Sequence, residues 1–267
     1  MPTLTTHAPG TFSWIELSAD DAAAAKRFYT ELFGWTASDN KIGPGDNDVY
    51  TIYRLGGEDV GASYAMMQDQ RDGGIPTNWM SYIAVENADE TAARARELGA
   101  TLMVEPFDVM ELGRMAVVQD PTGAVFSIWQ AKQHAGVGVK GETNSLGWNE
   151  LATTDTGRAK EFYSGLFGWQ GDTQNVGGMD YTVFNGSTGM VGGMYGVTAE
   201  MEGMPPSWMP YFVVDDADAA AEKARSLGAT VIVGPDDIPT VGRFALIRDP
   251  QGAMFYIIKF LPREATS

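Results

Sequence analysis

Long stretches of this chain occur twice, in the same order, at one long offset. Residues 14–35 read WIELSADDAAAAKRFYTELFGW, and residues 148–169 read WNELATTDTGRAKEFYSGLFGW. NWMSYIAVENAD (78–89) pairs with SWMPYFVVDDAD (207–218), and GRMAVVQDPTGAVFSIWQ (113–130) with GRFALIRDPQGAMFYIIK (242–259). Such self-similarity marks a duplicated domain. It constrains the fold more than any composition figure, because each structural proposal must hold in both copies.

The 267 residues divide into a first domain (1–131), a linker (132–144) and a second domain (145–267). Each copy, about 120–130 residues, is long enough to bury its own core. The linker, KQHAGVGVKGETN, lacks hydrophobic periodicity. A net charge of −17 argues against nucleic acid or an anionic membrane surface as a partner. With no cysteine there is no disulfide, thiolate nucleophile or thiolate metal site. The N-terminus lacks the basic start and apolar run of a secretory signal, and no segment is apolar for the length a membrane helix needs. A cytoplasmic protein, monomer or homodimer, is the expectation.

Each copy opens on a period-two strand, FSWIEL or LGWNEL. Asp21 and Asp155 then suit a helix N-terminus. Ala25, Phe28, Tyr29, Leu32 and Phe33 share one helical face, repeated by Ala159, Phe162, Tyr163, Leu166 and Phe167. Gly34 and Gly168 end these helices. Strands with glycine-rich turns follow. The second half of each copy is again strand, helix and strands, closing on a hairpin at DPTGA or DPQGA. The chain therefore reads as four βαβββ units, an α+β fold. Its glycine-rich stretches are turns: they lack the Gly-Lys-Ser/Thr ending of a phosphate loop.

These spaced pieces (the D…A…FY…LFGW helix, the AV(E/D)(N/D)AD junction, the LGA stop and the DP.GA.F hairpin) resemble the vicinal oxygen chelate superfamily. That superfamily includes glyoxalase I, bleomycin-resistance proteins and extradiol dioxygenases. The resemblance covers nearly the whole chain, twice, and is strongest to tandem-domain glyoxalase-like bacterial members. It implies paired βαβββ units curling into a cupped mixed sheet around a cavity, one per domain. Fold alone does not give the reaction.

The resemblance also implies where a divalent metal would be held. Those positions fall on Trp14, Met80 and Ser127 in the first copy, and on Trp148, Met209 and Tyr256 in the second. None is a good divalent ligand. The only histidines, His7 and His134, read as exposed loop residues without partners in the other copy. No metal or other cofactor is expected; a metal held by one Glu, waters and a bidentate substrate is the alternative.

Glu16 and Glu150 are the exceptions. Each lies two residues beyond the first-ligand position, so alternation points it into the cup. Each could pair with a recurrent cation, Arg114 or Arg243, as a purely structural ion pair. Alternatively, desolvation raises its pKa and makes it a general acid or base. Trp14, Trp79, Met80, Ser127 and Trp129 are the candidate lining of the first cup. Trp148, Trp208, Met209 and Tyr256 are that of the second. Such rings suit a flat apolar ligand or simply fill a core. Phe126 and Phe255 should face away, and Trp35 and Trp169 read as packing. The copies differ at Ser127/Tyr256, Trp129/Ile258 and Ile15/Asn149, so the cups should differ in size or polarity. The first functional reading is a metal-independent protein holding an apolar or aromatic metabolite. The alternative is a glyoxalase- or dioxygenase-like enzyme, a lyase or oxidoreductase, using Glu16 or Glu150 as acid/base. A structural role with filled cups is a third. The sequence leaves open whether the chain is catalytic.

Overall fold

A computed structural model describes residues 3–45, 48–197 and 205–262. The first half runs β1 (Phe12–Ala19), α1 (Ala22–Phe33), β2 (Thr36–Lys41), β3 (Val49–Leu55), β4 (Glu58–Ala65) and a short α2 (Gln68–Asp72). It continues with β5 (Asn78–Ala84), α3 (Ala88–Glu97), β6 (Thr101–Val109), β7 (Gly113–Gln119) and β8 (Val125–Ala131). The second half repeats this as β9 (Leu146–Thr153), α4 (Thr156–Phe167), β10 (Gln170–Val176), β11 (Met179–Gly186) and β12 (Gly189–Gly196). Then come β13 (Ser207–Val213), α5 (Ala217–Ser226), β14 (Thr230–Ile238), β15 (Gly242–Arg248) and β16 (Met254–Phe260).

Local chemistry sets the helix ends. The Asp21 carboxylate accepts from the Ala24 amide, and Asp155 from that of Arg158. Gly34 and Gly168 leave the helices at φ 69° and 70°, a left-handed turn that glycine adopts without strain. Asn87 and Asp216 cap α3 and α5 in the same way.

Each half forms one eight-stranded mixed sheet, in order β2-β3-β4-β1-β5-β8-β7-β6 and β10-β11-β12-β9-β13-β16-β15-β14. The first strand of each half runs antiparallel to the strand that opens the second unit (β1 with β5, β9 with β13) and parallel to the last strand of its own unit (β4, β12). Each sheet curls into a cup of the glyoxalase type. Glu16 sits opposite Met80 on one side and Ala62 on the other; Glu150 sits opposite Met209 and Gly193.

The helix-side cores depart from expectation, because each is shared between the two copies. The apolar face of α1 (Ala25, Phe28, Tyr29, Leu32, Phe33) packs in one cluster with Phe212, Ala221, Ala224 and Phe255 of the second half. Reciprocally, Ala159, Phe162 and Tyr163 of α4 pack with Ala92, Phe126 and Ile128 of the first half. Ring centroids of Phe33 and Phe212 lie 4.8 Å apart, and those of Phe126 and Tyr163 5.6 Å apart. Periodicity reveals that a helix has an apolar face, but not which sheet covers it.

Two matching hydrogen-bond chains cross this joint. Tyr29 OH donates to Asp249 Oδ2 (2.9 Å) while Trp79 Nε1 donates to Tyr29 OH (3.0 Å). Tyr163 OH donates to Asp120 Oδ2 (2.8 Å) and receives from Trp208 Nε1 (2.7 Å). Burial raises the Asp249 carboxyl above its ordinary pKa, opposed by the backbone amides of the DPQG turn and by Tyr29.

The segment 132–144 is also more than a tether. Val137 is fully buried against Trp14 and Trp129. Its amide donates to Ser13 O, and the Gly138 amide to Asp59 O. Gly136 passes so close to Ser13 O that a β-carbon there would lie 2.1 Å away. The histidines are correspondingly half-buried, not exposed. The His134 ring meets Trp14 edge-on at 4.6 Å, and His7 Nε2 lies 3.0 Å from Val137 O. Among the described residues, no helix is long and apolar enough to cross a membrane.

Candidate functional site

The inner face of β1 carries Trp14 and Glu16, while Ile15 and Leu17 point into the shared core. Three tyrosines from neighbouring strands surround Glu16. Tyr50 OH (β3) donates to Glu16 Oε2 at 2.5 Å, and Tyr82 OH (β5) to Oε1 at 3.1 Å. Trp14 Nε1 donates to Tyr50 OH at 3.1 Å. Tyr64 (β4) completes the ring and accepts from Gln70 Nε2 of α2.

The second cup repeats the constellation. Tyr211 OH (β13) donates to Glu150 Oε1 at 2.7 Å, and Trp148 Nε1 to Tyr181 OH at 3.0 Å. Tyr181 (β11) lies beside Glu150, near enough to oppose the rise in its pKa. Tyr195 (β12) and Tyr256 (β16) complete this ring, their hydroxyls 3.1 Å apart.

Among the described residues, no positive group compensates either carboxyl. Burial raises the Glu16 pKa, opposed by the hydrogen bonds from Tyr50 and Tyr82. Burial pushes Glu150 up to about 7, opposed by Tyr211 and Tyr181. Burial first, and then the neighbouring carboxylate, raises the pKa of Tyr50, Tyr82, Tyr181 and Tyr211 well above the usual phenol value. The phenols therefore remain protonated donors, and in the second cup Glu150 is the group that changes charge near neutral pH.

The structure sorts the sequence candidates by face. Trp14, Met80, Ser127 and Trp129 lie at the first cup; Trp148, Met209 and Tyr256 lie at the second. Trp79 and Trp208 do not. Each precedes an inward methionine, so the pleat turns it outward, and its indole donates into the joint between the halves. Alternation could have excluded both once Met80 and Met209 were placed. Arg114 and Arg243 also lie elsewhere. Arg114 Nε donates to Asp89 at 2.8 Å and Arg243 Nε to Asp218 at 2.6 Å. Helix-borne acids outside the cup claim these guanidinium groups, so no Glu–Arg pair forms. Phe126 and Phe255 face the shared cores, as alternation required.

Sequence reading named Tyr256 but missed the other tyrosines of the cups. The signal was present, because VYTIY matches DYTVF, GASY matches GGMY, and MSY matches MPY in the repeat. Tyr82 and Tyr211 lie two residues beyond the inward methionines, on the same face.

A divalent ion does not fit this donor set. One carboxyl, already engaged by two phenols, faces indole, thioether and hydroxyl groups, where hard cations need several charged oxygens or imidazoles. Among the described residues, no group of three or more His, Asp or Glu is placed to hold a metal. Two surface hollows, of about 470 and 290 Å³, lie on the helix side, at Glu86–Thr91 with Phe167 and at Arg27 with Pro250, away from both cups.

Comparison with known proteins places this geometry. The Glyoxalase/Bleomycin resistance protein/Dioxygenase superfamily profile matches residues 11–128 and again 145–257. "Putative glyoxylase CFP32" of Mycobacterium tuberculosis (strain CDC 1551 / Oshkosh) is 41% identical over 265 residues, 99% of this chain and 100% of its own length. "Anthracycline biosynthesis protein DnrV" of Streptomyces peucetius is 36% identical over 270 residues, 96% of this chain and 95% of its own. Among solved structures, a Mn(II)-bound glyoxalase from Novosphingobium aromaticivorans superposes with a TM-score of 0.65 at 15% identity, over 95% of this chain and 83% of that one. The 2,3-dioxygenase LapB from Pseudomonas sp. KL28 gives 0.65 at 12%, over 97% and 96%. At such identities these two structures speak to the fold alone.

Proposed function

We propose that this chain, which belongs to the Glyoxalase/Bleomycin resistance protein/Dioxygenase superfamily, is an acid–base enzyme acting on a small oxygenated organic molecule held in a cup, without a divalent metal. One observation carries the reading. Each cup holds a lone carboxyl ringed by protonated tyrosines, with no compensating cation among the described residues, and in the second cup it titrates near 7. A group with that pKa is populated in both forms at neutral pH, as general acid–base work requires. The ionised form takes a proton from a carbon beside a carbonyl. The neutral form returns it, so atoms and charge balance without an oxidant. Tyr50, Tyr82 and Tyr211 hold the carboxyls in position with their single O–H groups, and Tyr64, whose O–H is not given to Glu16, is the donor available to the developing enolate oxygen.

The relatives support the substrate class. One is named a putative glyoxylase and one an anthracycline biosynthesis protein. The aromatic lining favours a flat one. Simple sequestration is the second reading, favoured by the same lining of Trp, Tyr and Met in both cups.

Solvent-deuterium incorporation into a polycyclic hydroxyketone tests the proposal, with affinity followed by tryptophan fluorescence. The Glu16→Gln/Glu150→Gln double variant should lose exchange by roughly 10²-fold or more while still binding. Full exchange in that variant would refute the acid–base role. Binding without exchange in the wild type would leave sequestration.

A further inference from the structure

Outside the cups, the repeat builds the same joint twice, where the first helix of one half ends against the other half. At one joint α1 ends on Leu32 and Phe33, both buried. Trp35 Nε1 ties this end to Asn144 O at 2.7 Å. Lys223 of α5 reaches across and donates its ammonium to Leu32 O at 3.1 Å. Thr143, next to Asn144, donates its hydroxyl to Asp215 Oδ1 at 2.6 Å. The chain closes this joint with its own groups. An ammonium meets the negative end of a helix, and the adjoining carboxylate has a donor.

The other joint is made from the matching residues. α4 ends on Leu166 and Phe167, and Trp169 Nε1 ties this end to Gly10 O at 2.9 Å. Here both closures are missing. Arg94 stands where α5 has Lys223, but its guanidinium goes to Glu97 of its own helix at 2.9 Å. Pro9 stands where the second half has Thr143, and it has no hydroxyl to give. Glu86, in the place of Asp215, therefore meets no donor among the described residues, and neither does Leu166 O. The last turn of α4 carries no basic residue of its own. Leu166 and Phe167, unlike Leu32 and Phe33, keep part of their surface exposed. They form one wall of the hollow of about 470 Å³, with Val85 and Pro9 beside them and Glu86 and Glu90 opposite on the α3 side.

We propose that this hollow binds a small organic ammonium, its charged head between Glu86 and the carbonyl end of α4 and its apolar body on Leu166 and Phe167. The matching joint supplies the precedent, since Lys223 already puts an ammonium on the equivalent carbonyl. Glu90 adds negative charge, and one of its oxygens accepts from Asn87 Nδ2 at 2.9 Å, which holds it at the rim. Carbonyls and carboxylates suit a donor-only head, and the apolar wall favours an amine with a hydrocarbon body over a bare inorganic cation. The hollow takes its acids from one half and its helix end from the other, so an occupant would tie the two halves together. This site is separate from both cups and does not depend on the function proposed above.

The test is amide-resolved NMR titration of the full chain with 2-phenylethylamine, protonated at pH 7. Saturable shifts should centre on Val85, Glu86, Leu166 and Phe167. The neutral isostere 2-phenylethanol should give no saturable shift there. Glu86→Gln, an exposed substitution that leaves packing intact, should weaken the amine roughly fivefold, as removal of a solvent-accessible charge partner does. Glu111→Gln removes the same charge from an exposed site elsewhere and should leave the affinity unchanged. Absence of saturable shifts at these residues, equal binding of the alcohol, or full affinity in Glu86→Gln would each overturn the proposal. So would an equal loss in Glu111→Gln, which would reduce the effect to attraction by the net negative charge.

Discussion

Replacing Glu150 by glutamine should make the protein more stable at high pH and leave it nearly unchanged at low pH. The folded carboxyl titrates at about 7, against an ordinary value of 4.5 expected once the chain unfolds. Below 4.5 the group is protonated in both states and contributes no pH dependence. Between 4.5 and 7 the unfolded chain releases a proton that the folded chain still holds, so stability falls as pH rises. Above 7 both states are ionised and the loss is complete. The difference of about 2.5 in pKa, at 1.36 kcal/mol each, amounts to about 3 kcal/mol. Glutamine keeps an oxygen for Tyr211 to donate to but cannot ionise. In a chain of this size 1 kcal/mol moves Tm by roughly 2–4 °C, so the variant should gain roughly 6–12 °C over wild type at pH 8. Thermal and urea melts of both proteins at pH 4.5, 6.5 and 8 measure it, and only the difference counts, because other titrating groups cancel. A difference that does not change with pH would refute the argument, since it would mean that Glu150 titrates alike in the folded and unfolded chain. Glu16, shifted in the same direction by burial, should show the same sign.

Three further outcomes follow from the geometry. Tyr29→Phe removes the hydroxyl that joins Trp79 to Asp249 and should cost about 1–3 kcal/mol in urea melts; Tyr163→Phe, at the mirrored position, should cost a similar amount. Residues 1–144 expressed alone should associate or fail to give a cooperative melt, because the apolar face of α1 has lost Phe212 and Phe255; a stable monomer by light scattering would contradict the shared core. Added Mn²⁺ or Zn²⁺ should leave Tm and deuterium exchange unchanged, and chelator likewise; a metal-dependent rise in Tm would show that the cups assemble ligands this donor set does not supply.

Much of the site was legible along the strands, and its errors were errors of face and distance. Glu16 and Glu150 could be turned inward from alternation alone, and both are inward. Trp79 was misplaced because its neighbour Met80 already held the inward position. Arg114 was offered to Glu16 as the obvious recurrent cation, but β7 carries it to Asp89 on α3. Tyr50 and Tyr64 reach Glu16 only because β3 and β4 fold back beside β1, a long-range pairing that no local pattern states. His134 read as a loose loop residue, since its contact with Trp14 depends on the path of the linker over the cup.

By itself the sequence determined the duplication, the order of strands and helices, the capped helix ends and the poverty of metal donors. These rest on short-range periodicity and on residue chemistry, which need no partner. Only the tertiary structure decided that α1 and α4 cover each other's sheets, that the linker packs Val137 into one cup, and that Tyr256 meets Tyr195 across the other. Those outcomes depend on which apolar face meets which, and on how far a side chain reaches across a curved sheet. Packing fixes both only after the whole chain has closed on itself.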